Sequence, residues 1–340
     1  MTLWMTQRTP PMPRAVSLLL LACLLACPPS LLQAAERSVP ATEPGPGDPD
    51  RIALWPAGQV PGQTGAPRVP RVIERSDDPA LPDRYIDDVD APYLVAYRPP
   101  HPDGTALLVI PGGGYQRIVL DKEGTALVPA FVDRGAVTLF VLRYRLPAGR
   151  SDRQAALADA QRALRLIRSQ AARWQLDPGR IGVIGFSAGG HVAARLSTGF
   201  DLPAYPAGDA IDAHSARPDF ALLLYPVIDM GAHAHGGSRA RLLGEHPDAA
   251  LARQFSMQDQ VRADMPPTFL VHAQDDSVVS VHNSLVYYQA LLRSGVATEM
   301  HLFAHGGHGF GVRIDPALTT AQWPALALRW IHAQAPEPRR

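Results

Sequence analysis

From Tyr93 onward the chain alternates short apolar runs with longer amphipathic ones. The apolar runs are rich in valine, isoleucine and leucine. They predict strands at 93–97, 106–110, 137–142, 181–185, 220–225, 268–273 and 299–303. Between them the spacing predicts helices over 123–133, 152–174, 188–198, 283–293 and 316–333. In the helix over 152–174, Ala156, Ala160, Leu164 and Ile167 recur at three- and four-residue steps and share one face. Strands that are apolar throughout leave neither face to water. Alternating with helices, they imply an α/β fold, a mostly parallel central sheet with helices on both faces. In such sheets reactive groups collect at the carboxyl ends of the strands.

Before Tyr93 the pattern changes. Arg8 and Arg14 precede an apolar run over 15–27, and no acidic residue occurs before Glu36. Residues 1–35 therefore read as a secretory signal peptide, cut near Ala34 or Ala35, which implies a periplasmic or secreted protein. The run is too short to span a bilayer comfortably, so no membrane span is expected. Leu24-Leu25-Ala26-Cys27 resembles a lipobox and offers a lipid anchor at Cys27 as an alternative. Residues 36–50, rich in Pro, Gly and acid, read as a flexible linker. The Pro-rich stretch to about Pro82 reads as an extended arm lying on the domain. These boundaries give a catalytic domain over 51–335 and a tail over 336–340.

Composition narrows the function. Both cysteines, Cys23 and Cys27, fall in the leader, so the remainder is expected to carry neither thiol nor disulfide. Acidic and basic residues balance at 32 each, which gives no support for a nucleic-acid partner.

Three motifs carry chemistry. Gly185-Phe186-Ser187-Ala188-Gly189 is a G-x-S-x-G pattern between a predicted strand and a predicted helix. That setting is what a nucleophile elbow requires: a turn too tight for neighbouring side chains, with the serine exposed at its tip. A helix N-terminus there favours negative charge on a reacting oxygen. Gly112-Gly113-Gly114 follows an earlier strand. No G-K-[ST] follows, so a phosphate loop is excluded, and an oxyanion loop fits better. Gly113, Gly114 and Ala188 are the expected N–H donors, and which glycine contributes stays open. Asp275 and Asp276 end the strand over 268–273. His301, His305 and His308 come last. Gly306, Gly307 and Gly309 argue against the helix that a zinc H-E-x-x-H motif needs. His308, flanked by glycine, is the better base, and His305 is left as a supporting or surface residue.

Other candidates have bland readings. His191 is expected to pack behind the serine, and Asp159 to be structural. Lys122 and Glu123 either cap a helix or border the cleft. His233, His235 and His246 lie in a stretch read as a cap or rim loop over the site.

Taken together, LWPAGQVPG, VIPGGGY, KEG, VLRYRLP, DAQRALRLIR, RIGVIGFSAGGHVAA, LLLYPVIDM, PPTFLVHAQDDSVV and GGHGFG occur in an order that resembles the α/β-hydrolase esterases grouped with bacterial acetylxylan esterases. Pro111 stands where many such enzymes have histidine before the glycines. The resemblance implies Ser187 as nucleophile, His308 as base and Asp276 as the acid. Asp276 is favoured over Asp275 because it lies three residues before Val279, in a D-x-x-V arrangement. The resemblance further implies acetylated carbohydrate or another small ester as substrate, and no metal or organic cofactor. A promiscuous short-chain carboxylesterase and a prolyl-oligopeptidase-like serine peptidase are the alternatives within enzymes.

Overall fold

A computed structural model of the chain describes residues 50–63, 68–147 and 153–334, together with Glu43, Pro44 and Asp48. The expected leader with Cys23 and Cys27, and the tail over 336–340, lie outside the described residues. The strands in chain order are β1 (Arg51–Ala53), β2 (Arg71–Ile73), β3 (Tyr85–Asp87), β4 (Tyr93–Tyr97), β5 (Ala106–Ile110), β6 (Ile118–Val119), β7 (Thr138–Arg143), β8 (Ile181–Phe186), β9 (Ala221–Leu224), β10 (Thr268–Ala273) and β11 (Thr298–Phe303). The helices are α1 (Ala155–Ser169), α2 (Ser187–Thr198), α3 (Gly236–Leu243), α4 (Ala249–Gln254), α5 (His282–Arg293) and α6 (Trp323–Ala333).

The main sheet runs β1-β4-β7-β5-β8-β9-β10-β11. Its members from β7 to β11 pair in parallel, and β4 and β1 are antiparallel at one edge. The expected parallel sheet thus has an antiparallel margin. Along β5, Leu108 and Ile110 face one core while Leu107 and Val109 face the other. That alternation is why the strand must be apolar at every position. The first core is closed by α1 and α2, with Ala156, Ala160, Leu164 and Ile167 of α1 all inside it. The second is closed by Phe131 and Val132 and by Trp323, Ala327 and Ile331 of α6. Each such large apolar side chain contributes about 1.5–3 kcal/mol by leaving water.

Several elements depart from expectation, for local reasons. The helix over 152–174 is broken: α1 stops at Ser169, whose hydroxyl bonds back to the Leu166 carbonyl at 2.9 Å, and Ala171–Trp174 forms a separate tight turn. A serine that satisfies a helix carbonyl competes with continuation of the helix. The helix over 123–133 becomes a turn at Thr125–Leu127 and a wide-wound segment at Val128–Arg134, where Pro129 supplies no N–H. The arm is more ordered than an extended strap. Its β1 joins the main sheet, and its β2 pairs with β3, which pairs with β6. Within the expected linker, Glu43 is docked: it accepts from Arg143 Nε at 2.6 Å and from the Tyr93 hydroxyl at 3.1 Å. The pair offsets the cost of a fully buried guanidinium.

Helices α3 and α4 were not expected as helices. Gly236 and Gly237 open α3, and glycine is a poor helix former. Instead His235 caps it, with Nδ1 accepting from Ser238 N at 3.2 Å. Asp248 Oδ1 caps α4 by accepting from Leu251 N at 2.7 Å.

Candidate active site

Strand β8 delivers Ser187 at the carboxyl edge of the sheet, as the first residue of α2. Its φ is +51°, a left-handed conformation for a residue with a side chain. Such strain concentrates where a side chain must be displayed. The turn leaves no room around it. A methyl at Gly185 would stand 2.5 Å from the Gly189 carbonyl oxygen and 2.6 Å from Ala193 Cβ. A methyl at Gly189 would collide with the carbonyls of Ile110 and Pro111.

Ser187 Oγ lies 2.9 Å from His308 Nε2, and His308 Nδ1 lies 2.7 Å from Asp276 Oδ2. Three residues from the ends of β8, β10 and β11 thus form one hydrogen-bonded line. The tautomer follows from the partners. Nδ1 donates to the carboxylate, which leaves the Nε2 lone pair to accept from the serine hydroxyl. Packing holds the imidazole, with the Tyr225 ring edge-on at 5.1 Å between centroids.

Asp276 is anchored on every side. Oδ1 accepts from Val278 N and Val279 N, each at 2.9 Å. Oδ2 takes a further contact from His272 Nε2 at 3.2 Å. Burial alone would raise its pKa, but hydrogen bonds from His272 and His308, the His308 charge and the Val279 N–H outweigh burial and hold the carboxyl below the usual range. Asp275 points elsewhere and accepts from Gly307 N at 2.8 Å. His305 stays with it at the surface, and His301 pairs with Glu299 at 2.6 Å. The three histidines therefore separate, and only His308 reaches the serine.

The glycine loop sits against the same serine. Gly112 N donates to Glu123 Oε2 at 2.6 Å, so that N–H is committed. Gly113, with φ +135°, turns the chain there, and its carbonyl accepts from Gln116 N at 3.1 Å. Gly113 and Gly114 then line a cavity of about 430 Å³ with Ser187, Glu123 and His308. Ala188 follows the serine in the first turn of α2, where N–H groups have no carbonyl of their own helix to bond.

Glu123 does not cap a helix. It is buried, and Tyr225 donates its hydroxyl proton to Oε1 at 3.0 Å while accepting from Gly311 N. Burial pushes its carboxyl pKa up, and the hydrogen bond from Gly112, the His308 charge and the Tyr225 bond offset only part of that. His272, Glu123 and Tyr225 are the supporting residues that the sequence did not single out for this task. The one signal was a histidine inside the apolar run of β10.

The remaining candidates fall into place. His191 is packed behind α2, between the Tyr115 hydroxyl at 2.7 Å and the Phe255 carbonyl at 2.8 Å. Burial holds it neutral, pushed down to about 3. Asp159 is structural, accepting from Arg145 and Trp55. His235 lines the cavity, as a rim residue should, whereas His233 stacks on His282 and His246 lines a separate hollow. Among the described residues, no group of three or more His, Cys, Asp or Glu side chains could hold a metal ion.

The sheet order and the serine at the strand–helix turn define an α/β-hydrolase fold. The chain belongs to the BD-FAE family, whose model matches residues 94–291. It is 33% identical over 223 residues to the acetylxylan esterase of Xylanibacter ruminicola, covering 64% of this chain and 43% of that protein. It is 36% identical over 211 residues to endo-1,4-beta-xylanase B of Butyrivibrio fibrisolvens, covering 62% of this chain and 33% of that one. The chain thus spans less than half the length of these two relatives. Among solved structures, an acetyl ester-xyloside bifunctional hydrolase from Caldicellulosiruptor lactoaceticus superposes with a TM-score of 0.71 at 36% identity, over 83% of this chain and 95% of that one. Among the described residues, no helix is long and apolar enough to cross a membrane.

Proposed function

We propose that this protein is a serine esterase that removes acetyl or other short acyl groups from xylan or xylo-oligosaccharides. The observation that carries the reading is the continuous line Ser187–His308–Asp276, with contacts of 2.9 and 2.7 Å. His308 Nε2 takes the hydroxyl proton as Ser187 Oγ attacks the ester carbonyl. Asp276 fixes the tautomer and stabilises the imidazolium that forms. The N–H groups of Gly113, Gly114 and Ala188 receive the negative charge that develops on the carbonyl oxygen. Commitment of the Gly112 N–H to Glu123 supports the later glycines as donors. His308 then protonates the leaving sugar oxygen, which departs as the free hydroxyl. In the second half it activates the water that releases the acid and restores Ser187.

Relatives named for acetylxylan esterase and acetyl ester-xyloside hydrolase activity support a carbohydrate ester as the substrate. An exported protein, read from residues 1–35, suits a polymer too large to enter a cell. Lipid attachment at Cys27 is the alternative to cleavage near Ala34 or Ala35, since that cut would remove the cysteine. The test is acetate release from acetylated xylan, compared with aryl acetate and aryl butyrate, by wild type and Ser187→Ala. The reading expects release from the glycan that Ser187→Ala loses. Turnover of aryl esters alone would make this a general short-chain carboxylesterase.

A further inference from the structure

Four cationic side chains line the cavity at Ser187: Arg75, Arg117, Lys122 and Arg241. The chain as a whole balances its charges, so this is a local concentration. Their acidic partners are few. Arg75 Nη2 reaches Asp83 Oδ1 at 2.8 Å, and Lys122 Nζ stands 4.0 Å from that same oxygen. Arg117 has no ion pair among the described residues. Its guanidinium lies over the Tyr85 ring at 4.9 Å, and the Arg75 guanidinium lies 5.5 Å from the same ring. Two cations therefore share one carboxylate, while Arg117 has none among the described residues. Arg241, on α3, likewise has no ion pair among the described residues.

The carboxylates of Glu123 and Asp276 do not cancel this surplus. Glu123 is buried, with its oxygens taken up by Gly112 N and the Tyr225 hydroxyl. Asp276 lies beneath His308 with its side chain fully buried. A neutral acetyl sugar offers Arg117 and Arg241 hydroxyl and carbonyl acceptors but no charge to match theirs. A concave rim with one sign of charge focuses its field on an anion. A guanidinium presents a planar fork that matches a carboxylate. A phosphate site would call for backbone N–H groups as well, and those of Gly113 and Gly114 are assigned above to the reacting oxygen.

Building on the esterase reading of this site, we infer that the cleft selects esters that carry a carboxylate close to the bond cleaved. The carboxylate has two sources: a uronic acid on the sugar side, or a dicarboxylic hemiester on the acyl side.

The experiment compares kcat/KM within two matched pairs, at low and high salt. One pair is acetylated xylo-oligosaccharides with and without a glucuronic acid branch. The other is an aryl hemisuccinate and an aryl butyrate. Wild type, Arg117→Gln, Arg241→Gln and Arg241→Lys are measured. The anionic member of one pair is expected to be preferred about tenfold, as one charge-assisted contact supplies. That preference shrinks in salt. It shrinks in both glutamine variants, mainly through KM, and Arg241→Lys recovers part of it. The pair that shows the preference identifies the source. Equal rates within both pairs, or a preference the glutamine variants keep in full, overturn the inference and leave the esterase reading intact. Failure to hydrolyse any of the four esters overturns both.

Discussion

His272 Nε2 stands 3.2 Å from Asp276 Oδ2, the oxygen that His308 Nδ1 reaches at 2.7 Å. Two imidazoles thus converge on one carboxylate oxygen: one leads to Ser187, the other into the core. His272 Nε2 also faces the Val279 carbonyl at 3.0 Å, and its Nδ1 faces the Ser284 hydroxyl at 2.7 Å. With two acceptors before it, Nε2 carries the proton and donates. His272 is a positioning residue that keeps Asp276 ionised and aimed.

Asp276→Asn is therefore expected to lower kcat by about 10^4-fold, because an amide no longer enforces the His308 tautomer. His272→Leu is expected to lower kcat less and to cost stability of about 1–3 kcal/mol, by leaving Asp276 and Ser284 short of a partner. Steady-state kinetics and chemical denaturation separate the two effects. An Asp276→Asn enzyme with wild-type kcat would remove Asp276 from the mechanism.

His308→Ala is expected to reduce turnover by roughly 10^4-fold or more. His305 lies at the surface with a side chain 73% exposed, and its partner is Asp275. His305→Ala is accordingly expected to keep most of the activity. Side-by-side assays on an aryl acetate check the contrast, and equal losses in both variants would refute the separation of the two histidines.

Glu123 ties the glycine loop to Tyr225 and, through it, to Gly311. Glu123→Ala leaves a buried N–H and a buried hydroxyl without their acceptor, at about 1–3 kcal/mol each. The loop that carries Gly113 then loses its tether, so kcat is expected to fall more than KM rises. Unchanged kcat together with an unchanged unfolding midpoint would show that the tether has no role.

The two buried carboxyls predict opposite pH trends in stability. The Asp276 pKa is depressed in the fold. Its contribution is present above the unfolded aspartate range, about 3.9, and is lost as pH falls through the folded value. The Glu123 pKa is raised by burial. Its contribution is full below the unfolded glutamate range, about 4.3, and is lost as pH rises through the folded value. Unfolding midpoints measured across pH should show Asp276→Asn losing most relative to wild type at neutral pH. Glu123→Gln should compare best with wild type at the high end. Differences that do not vary with pH would contradict both assignments.

The frame of the fold was legible because its strands are buried on both faces and so mostly apolar, as β5, β7, β8 and β10 are. Ser187 was legible for the same reason: the glycines at 185 and 189 are forced by crowding between neighbouring elements. The support around the site was less legible. Glu123 and Tyr225 are 102 residues apart in sequence, and neither has a local pattern that marks the contact. Helix α3 escaped notice because a histidine cap and a tertiary seat, not its own propensity, start it at two glycines. The strand pairing within the arm was not legible because three-residue strands such as β1 and β2 carry too little periodicity to register.

The central claim is that Ser187 is the nucleophile, and covalent trapping tests it most directly. The protein is treated with an aryl alkylphosphonate ester that phosphonylates active serines irreversibly and releases the aryloxide, then digested and mapped by mass spectrometry. The account predicts a single adduct on the peptide that contains Ser187, loss of esterase activity in step with labelling, and no adduct in Ser187→Ala. A Ser187→Ala protein that still hydrolyses esters at the wild-type rate, or full activity after Ser187 is labelled, would contradict it.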